Sequence, residues 1–145
     1  MAIISLINRK GGVGKSTISI NLAAGLATYE SRKPESKPVL LIDMDDQLSA
    51  TITAMGGGLD DQFVPIITAE NNFPSALING FGASEGIVED SLLPRKREKK
   101  VKIFKTNKAR MENLEAELKT REEPELQLTY YLEPIKNDYA YIIID

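Results

Sequence analysis

The chain alternates short apolar runs with longer stretches of helical periodicity. Ala2-Ile3-Ile4-Ser5-Leu6-Ile7, Val39-Leu40-Leu41-Ile42, Val101-Lys102-Ile103-Phe104 and Tyr139-Ala140-Tyr141-Ile142-Ile143-Ile144-Asp145 are too short for helices. Near-continuous apolarity over such lengths predicts strands buried in a parallel sheet. Between the first two runs, Ser16 to about Tyr29 places Ile18, Leu22, Ala23, Leu26 and Ala27 on one helical face. A short helix is expected over 47–54, closed by Gly56-Gly57-Gly58. Phe73 to Asn79, with Pro74 in its first turn, reads as another helix ended by Gly80 and Gly82. Ser84 to Leu93 reads as a further short turn of helix. Asn107 is placed to cap a helix over 108–119, where Met111, Leu114 and Leu118 share a face. Glu122-Glu123-Pro124 separates it from a helix over Leu126–Leu132, stopped near Pro134. Strands alternating with helices predict an α/β fold, a parallel sheet with helices on both faces. Such sheets bind ligands beyond the carboxyl ends of their strands. Arg9, Lys10, Asp43, Asp45, Lys105 and Asp145 fall at or just past those ends.

The junction of the first strand and first helix is the most specific chemical signal in the chain. Residues 10–17 read Lys-Gly-Gly-Val-Gly-Lys-Ser-Thr. Gly14-Lys15-Ser16 form the second half of a P-loop, G-x-x-x-x-G-K-[ST], while Arg9 stands where the first glycine is usual. Without a Cβ, Gly11, Gly12 and Gly14 can adopt positive φ and turn their amides inward around a polyphosphate. The amino end of the next helix adds unpaired N–H groups. Lys15 then reaches the β- and γ-phosphates, and the Ser16 hydroxyl is a ligand for Mg²⁺. A strand before and a helix after this loop are the context that the motif requires.

Two carboxylate segments belong to the same picture. Asp43-Met44-Asp45-Asp46-Gln47-Leu48-Ser49-Ala50-Thr51 follows the second strand, and Tyr141-Ile142-Ile143-Ile144-Asp145 ends the fourth. On its residues alone, Asp45 can serve as a cap for the helix after it. For Asp46 the capping reading is preferred. An aspartate after an apolar strand, as at Asp145, is by itself a weak pattern, strengthened by its spacing after the glycine loop and the segment at 43–51.

Composition sharpens this by exclusion. The 145 residues suffice for one domain with its own core, and 42% hydrophobic with 27% charged residues is ordinary for a globular protein. The absence of cysteine and histidine removes disulfides, Cys/His zinc sites and histidine-based triads. No apolar stretch reaches membrane-spanning length and no basic-then-apolar leader opens the chain, so a cytoplasmic protein is expected. The net charge of −3 argues against a general polyanion binder. Residues 95–102 hold six of the 18 basic residues. That run precedes the third strand, at the end of the sheet away from the loop, and lacks interleaved aromatics. It reads as a solvated loop in preference to a nucleic-acid site.

Residues 8–17, Asn-Arg-Lys-Gly-Gly-Val-Gly-Lys-Ser-Thr, resemble the deviant Walker A box of ParA/MinD-type ATPases. Residues 43–51 resemble that family's Asp-x-Asp-Pro-Gln-Gly-Asn-Ala-Thr segment. Asp43, Asp45, Gln47, Ala50 and Thr51 match, and Asp46, Leu48 and Ser49 replace its Pro, Gly and Asn. Tyr141–Asp145 looks like Walker B. The resemblance implies ATP and Mg²⁺ as cofactors, with Lys10, Gly11, Gly12, Val13, Gly14, Lys15, Ser16 and Thr17 around the nucleotide and Ser16 and Asp145 at the metal. It gives catalytic parts to Lys10, Lys15 and Asp45: Lys10 reaches a partner's phosphates across a homodimer, and Asp45 positions the attacking water. It implies a ParA/Soj-like role in plasmid or chromosome segregation, with non-specific DNA and a ParB-like activator as partners. Gln47, Ala50 and Thr51 favour this branch over the MinD-like division-site branch. A nucleotide-binding remnant without turnover is the other alternative, while the nitrogenase-type iron protein is disfavoured because its cluster needs cysteine thiolates.

The family domain continues for roughly another hundred residues past Walker B, within the usual size of a domain. Residues 1–145 are therefore expected to form a single, incomplete nucleotide-binding domain, truncated after the Walker B strand. The first strand, which lies near the middle of the family's sheet, then becomes an edge, and self-association with near-background ATP turnover is expected of the isolated chain.

Overall fold

The computed structural model describes residues 1–8, 10–45, 47, 49–54, 87–90, 101–104, 113, 114 and 116–145. The expected helix over 73–79, Asn107 with the helix start at 108–112, Arg9, Asp46, Lys105 and residues 95–100 of the basic run lie outside them.

The elements in chain order are β1 (Ala2–Ser5), α1 (Lys15–Glu30), β2 (Val39–Ile42), α2 (Ser49–Ala54), β3 (Ile87–Asp90), β4 (Val101–Phe104), α3 (Gln127–Leu132) and β5 (Tyr141–Ile144). Residues 113, 114 and 116–118 are also helical, and a single 3-10 turn, Pro124–Leu126, leads into α3. The five strands form one sheet in the order β1-β5-β2-β4-β3. β1, β5, β2 and β4 run parallel, with Ile3 opposite Ile142 and Leu41 opposite both Ile103 and Ile143.

The pairing of β2 with β5 is the foundation of the site. Val39, Leu40, Leu41, Ile42, Ile142 and Ile143 are fully buried. Burying each such side chain stabilises the fold by about 1.5–3 kcal/mol, so whatever these strands carry at their ends is rigidly held. Strand alternation divides the residues between two layers. Val39, Leu41 and Ile143 pack with Ala23, Ala27 and Ala50 of α1 and α2. Leu40, Ile42, Ile142 and Ile144 pack with Leu114, Tyr131, Leu132 and Tyr139 on the other face. Helices thus cover both faces, as the alternation of elements predicts.

The structure corrects four details. β3 replaces the helical turn expected over 84–93, and it pairs antiparallel with β4. Two strands adjacent in sequence can pair antiparallel without a crossover helix, and the segment Ile87-Val88-Glu89-Asp90 is too short and too charged to have signalled a buried strand. β1 ends at Ser5, short of Ile7; it is the edge strand that was expected, mostly exposed, with Ile3 46% accessible. Ala2 and Leu6 donate their N–H groups to Ala140 and Ile144 on the β5 side. The intervening amides of Ile3 and Ser5 therefore face the open edge. On α1 the buried stripe is Ser19, Ala23, Ala27 and Glu30, and Ile18 is exposed. Small residues let the helix lie close to the sheet, and Ile18 sits well round the helix from that stripe. Finally, β5 begins at Tyr141, two residues later than the sequence predicts.

Tyr131 and Tyr139, buried in the same layer, both have their phenol pKa raised, chiefly by burial. A raised folded-state pKa keeps stability intact below the unfolded value, near pH 10, and loses it as pH rises above that. The urea midpoint is therefore expected to be flat in pH up to about 9.5 and to fall steeply above about 10. Tyr131→Phe should flatten that fall, and an unchanged alkaline slope would contradict the assignment.

Candidate functional site

Three segments leave the carboxyl ends of neighbouring strands and meet. The glycine loop follows β1, residues 43–49 follow β2, and Asp145 follows β5. An open cleft of about 750 Å³ lies between the first two, lined by Asn8, Lys10 to Thr17, Met44, Asp45, Gln47 and Ser49. Every residue from 10 to 17 that the sequence singles out for phosphate thus borders one cavity.

The loop conformation follows from its glycines. Gly12 has φ 73° and Gly14 φ 82°, values that side-chain-bearing residues rarely adopt. Gly11 has no positive φ, which corrects the expectation for it, and a Cβ built there would meet no atom within 4 Å. The loop opens with the Asn8 side-chain oxygen accepting the Lys10 N–H at 2.9 Å, a local turn that leaves Lys10 exposed at the rim. Gly14 in left-handed conformation starts α1, with no side-chain cap and no acidic residue in the first turn. The helix therefore presents its first N–H groups and its positive dipole end to the cleft uncompensated by its own side chains.

Lys15 stands at the centre of the charged groups. Its ammonium is 3.5 Å from Asp45 Oδ2 and 3.9 Å from Asp145 Oδ1, with 22% of the side chain accessible. The Asp145 side chain is fully buried. Its Oδ1 accepts the Ser19 hydroxyl at 2.7 Å, whereas Oδ2 is buried with no hydrogen-bond partner. Its backbone continues the β5–β2 ladder: Asp145 N–H donates to Ile42 O and Asp145 O accepts from Met44 N–H, both at 2.9 Å.

Asp43, at the end of β2, is also buried. Its Oδ2 accepts the N–H and the hydroxyl of Thr51, each at 2.7 Å, and Oδ1 accepts the Asp45 N–H at 3.1 Å. Burial pushes the Asp43 carboxyl above its ordinary pKa; the three donors oppose this, and the charge of Asp145 adds to it. Asp45 is held from two sides. Oδ1 accepts the Gln47 N–H at 3.0 Å in a tight turn before α2, while Oδ2 faces Lys15.

These residues fit a magnesium–polyphosphate ligand. Among the described residues no three Asp, Glu, His or Cys side chains converge as a cation cage. Mg²⁺ commonly takes just one or two protein groups, with phosphate oxygens and waters completing the shell. Ser16 lines the cleft, whereas Asp145, with its Oδ2 left without a hydrogen-bond partner, is buried next to Lys15 and is not among the lining residues. Periodicity did not reveal Ser19, whose hydroxyl lies 2.7 Å from Asp145 Oδ1 and 3.1 Å from the Lys15 carbonyl one turn back. The link from Asp43 to Thr51 spans eight residues and carries no local pattern.

A glycine loop between a parallel strand and a helix, with a lysine set among strand-end carboxylates, defines a P-loop nucleotide-binding α/β protein. The family model AAA_31, an AAA domain, matches residues 1–145, and the chain belongs to this ParA/Soj-like family of P-loop ATPase domains. It is 34% identical over 143 residues to the chromosome partitioning protein ParA of Myxococcus xanthus, covering 99% of this chain and 43% of that protein. It is 31% identical to the sporulation initiation inhibitor protein Soj of Bacillus subtilis, covering 99% of this chain and 48% of that one. A putative plasmid partition protein of Borrelia burgdorferi, solved bound to AMPPNP, superposes with a TM-score of 0.72 at 25% identity, over 99% of this chain and 52% of the other. The chain thus spans about half the length of the relatives it matches. Among the described residues no helix is long and apolar enough to cross a membrane.

Proposed function

We propose that this chain forms the nucleotide-binding part of an ATPase that binds MgATP in the cleft and hydrolyses it as a homodimer. The observation that carries this is the placement of Lys15 between Asp45 and Asp145 at the amino end of α1. Residues 1–145 belong on this reading to a single nucleotide-binding domain. Amides of residues 11–16 and the Lys15 ammonium hold the β- and γ-phosphates. When bound, Mg²⁺ neutralises charge that develops on the phosphate oxygens. Ser16 and Asp145 would hold it, and Ser19 fixes the Asp145 rotamer by donating to Oδ1. Asp45, released from Lys15 as phosphate takes the ammonium, orients water for in-line attack. Lys10, exposed at the rim, contacts the nucleotide of the partner subunit. The names of the relatives support a role in partition or positioning of a plasmid, chromosome or other cargo in the cytoplasm, with non-specific DNA and a ParB-like activator as partners.

Complementation tests the dimeric arrangement in the natural full-length protein. Lys10→Ala should lower turnover by about 10³-fold, as loss of a trans-acting cation does. Asp45→Asn removes activity from the other side of the same site. Mixing the two inactive proteins should restore about a quarter of wild-type activity, because half of the dimers are mixed and each has one intact site. No recovery on mixing would mean that Lys10 acts within its own subunit.

A further inference from the structure

We infer that Asp43 is a positioning residue for hydrolysis: its buried carboxylate, clamped on Thr51, fixes the path of the segment that carries Asp45. The inference rests on the ATPase reading above and extends it to a residue that does not border the cleft.

A buried carboxylate needs a reason. Removing one from water is costly unless hydrogen bonds replace its hydration. Asp43 is fully buried, and both its oxygens are occupied by backbone or side-chain donors of the segment that follows it. Oδ1 holds the amide two residues on, at Asp45, and Oδ2 holds the amide and hydroxyl eight residues on, at Thr51. The segment is thereby tied near its start and at its end to one group at the tip of a fully buried strand. Thr51 is itself 3% accessible, and its neighbour Ala50 is packed in the layer of Val39, Leu41 and Ile143. The far end of the clamp is therefore anchored in the core. Bonds to an ionised acceptor are short and strong, which suits a clamp better than the bonds of a neutral side chain. Asp45, at the cleft surface, owes its position to this ring as well as to its own turn onto Gln47. A displacement of about 1 Å at a water-orienting carboxylate can lower turnover roughly 100-fold while leaving phosphate binding intact.

The test is a graded series in the natural full-length protein, with single-turnover hydrolysis and AMPPNP affinity both measured. Thr51→Ser keeps both donors and should stay within about twofold of wild type. Thr51→Val keeps the shape and the amide but loses the hydroxyl; turnover should fall about tenfold. Asp43→Asn keeps one acceptor oxygen in place of two, so it sets a donor against the amide of Asp45 or of Thr51 and weakens the bonds that remain; it should lower turnover about 100-fold. Affinity for AMPPNP should change by less than about threefold throughout, since none of these atoms meets the nucleotide. Thr51→Ala serves as a second hydroxyl-free variant should Thr51→Val not fold. Full turnover in a folded hydroxyl-free variant would overturn the inference alone, as would losses of affinity that match the losses of turnover. An unsubstituted protein that binds nucleotide without hydrolysing it would overturn the ATPase reading and this role together.

Discussion

Replacing Lys15 with alanine is expected to weaken nucleotide binding by about 30- to 1,000-fold. A charge-assisted bond to an anion is worth about 1.5–3 kcal/mol, and contacts to two phosphates put the loss at about 2–4 kcal/mol. The same substitution has a second, smaller consequence in the nucleotide-free protein. Lys15 is the cation that faces both Asp45 and Asp145, and the Asp145 side chain is fully buried with one neutral donor, Ser19. Removing the ammonium leaves that carboxylate uncompensated. Because Lys15 is partly accessible and stands 3.9 Å from Asp145, solvent screening limits the cost to about 1 kcal/mol. Lys15→Arg separates the two effects. It retains the charge and therefore most of the stability, but a planar guanidinium does not reproduce a point charge inside a tight loop. Titration with AMPPNP and thermal unfolding without nucleotide read the two quantities independently. Undiminished affinity in Lys15→Ala would remove the cleft as the nucleotide site.

The strands that build the site were legible because both of their faces are buried. Val39–Ile42 and Ile142–Ile144 have no solvent side, so apolarity alone located them. β1 was legible by its apolar run and takes the edge position expected of it, although its own residues are mostly exposed. The glycine loop was legible because backbone requirements are written in residue identity: Gly12 and Gly14 stand where φ is positive. What was not legible is tertiary. Ser19 looks like an interruption of an apolar face until Asp145, 126 residues away, is seen to accept its hydroxyl. Thr51 looks like a helix residue until Asp43 is seen beneath it. The charged strand β3 carries no period strong enough to separate it from a helical turn, and its place in the sheet comes from pairing with β4. In each case the missing information was a partner distant in sequence, and polar partners leave no hydrophobic period behind them.

Asp45→Asn should move binding and turnover in opposite directions. In the nucleotide-free protein Asp45 holds the Lys15 ammonium at 3.5 Å, so arriving phosphate must compete with a carboxylate for its main cation. Asparagine removes that competition and also one negative charge beside an anionic ligand. The Asp45 side chain is 24% accessible, so the ion pair contributes less than about 1 kcal/mol, and AMPPNP affinity should rise by no more than about fivefold. Turnover should fall by about 10²- to 10⁴-fold, because an amide can still fill the turn onto Gln47 but orients attacking water poorly and accepts no proton from it. Opposed signs distinguish a hydrolytic carboxylate from a helix cap. A residue that only capped the turn would lose nothing to asparagine, and affinity and rate would both stay near wild type, while a remnant without turnover would show the gain in affinity with no rate to lose. Measuring both constants in the natural full-length protein, with the nucleotide-free thermal midpoint as a check on folding, decides among the three. Reduced affinity in Asp45→Asn would show that the carboxylate assists nucleotide binding and does not compete with it.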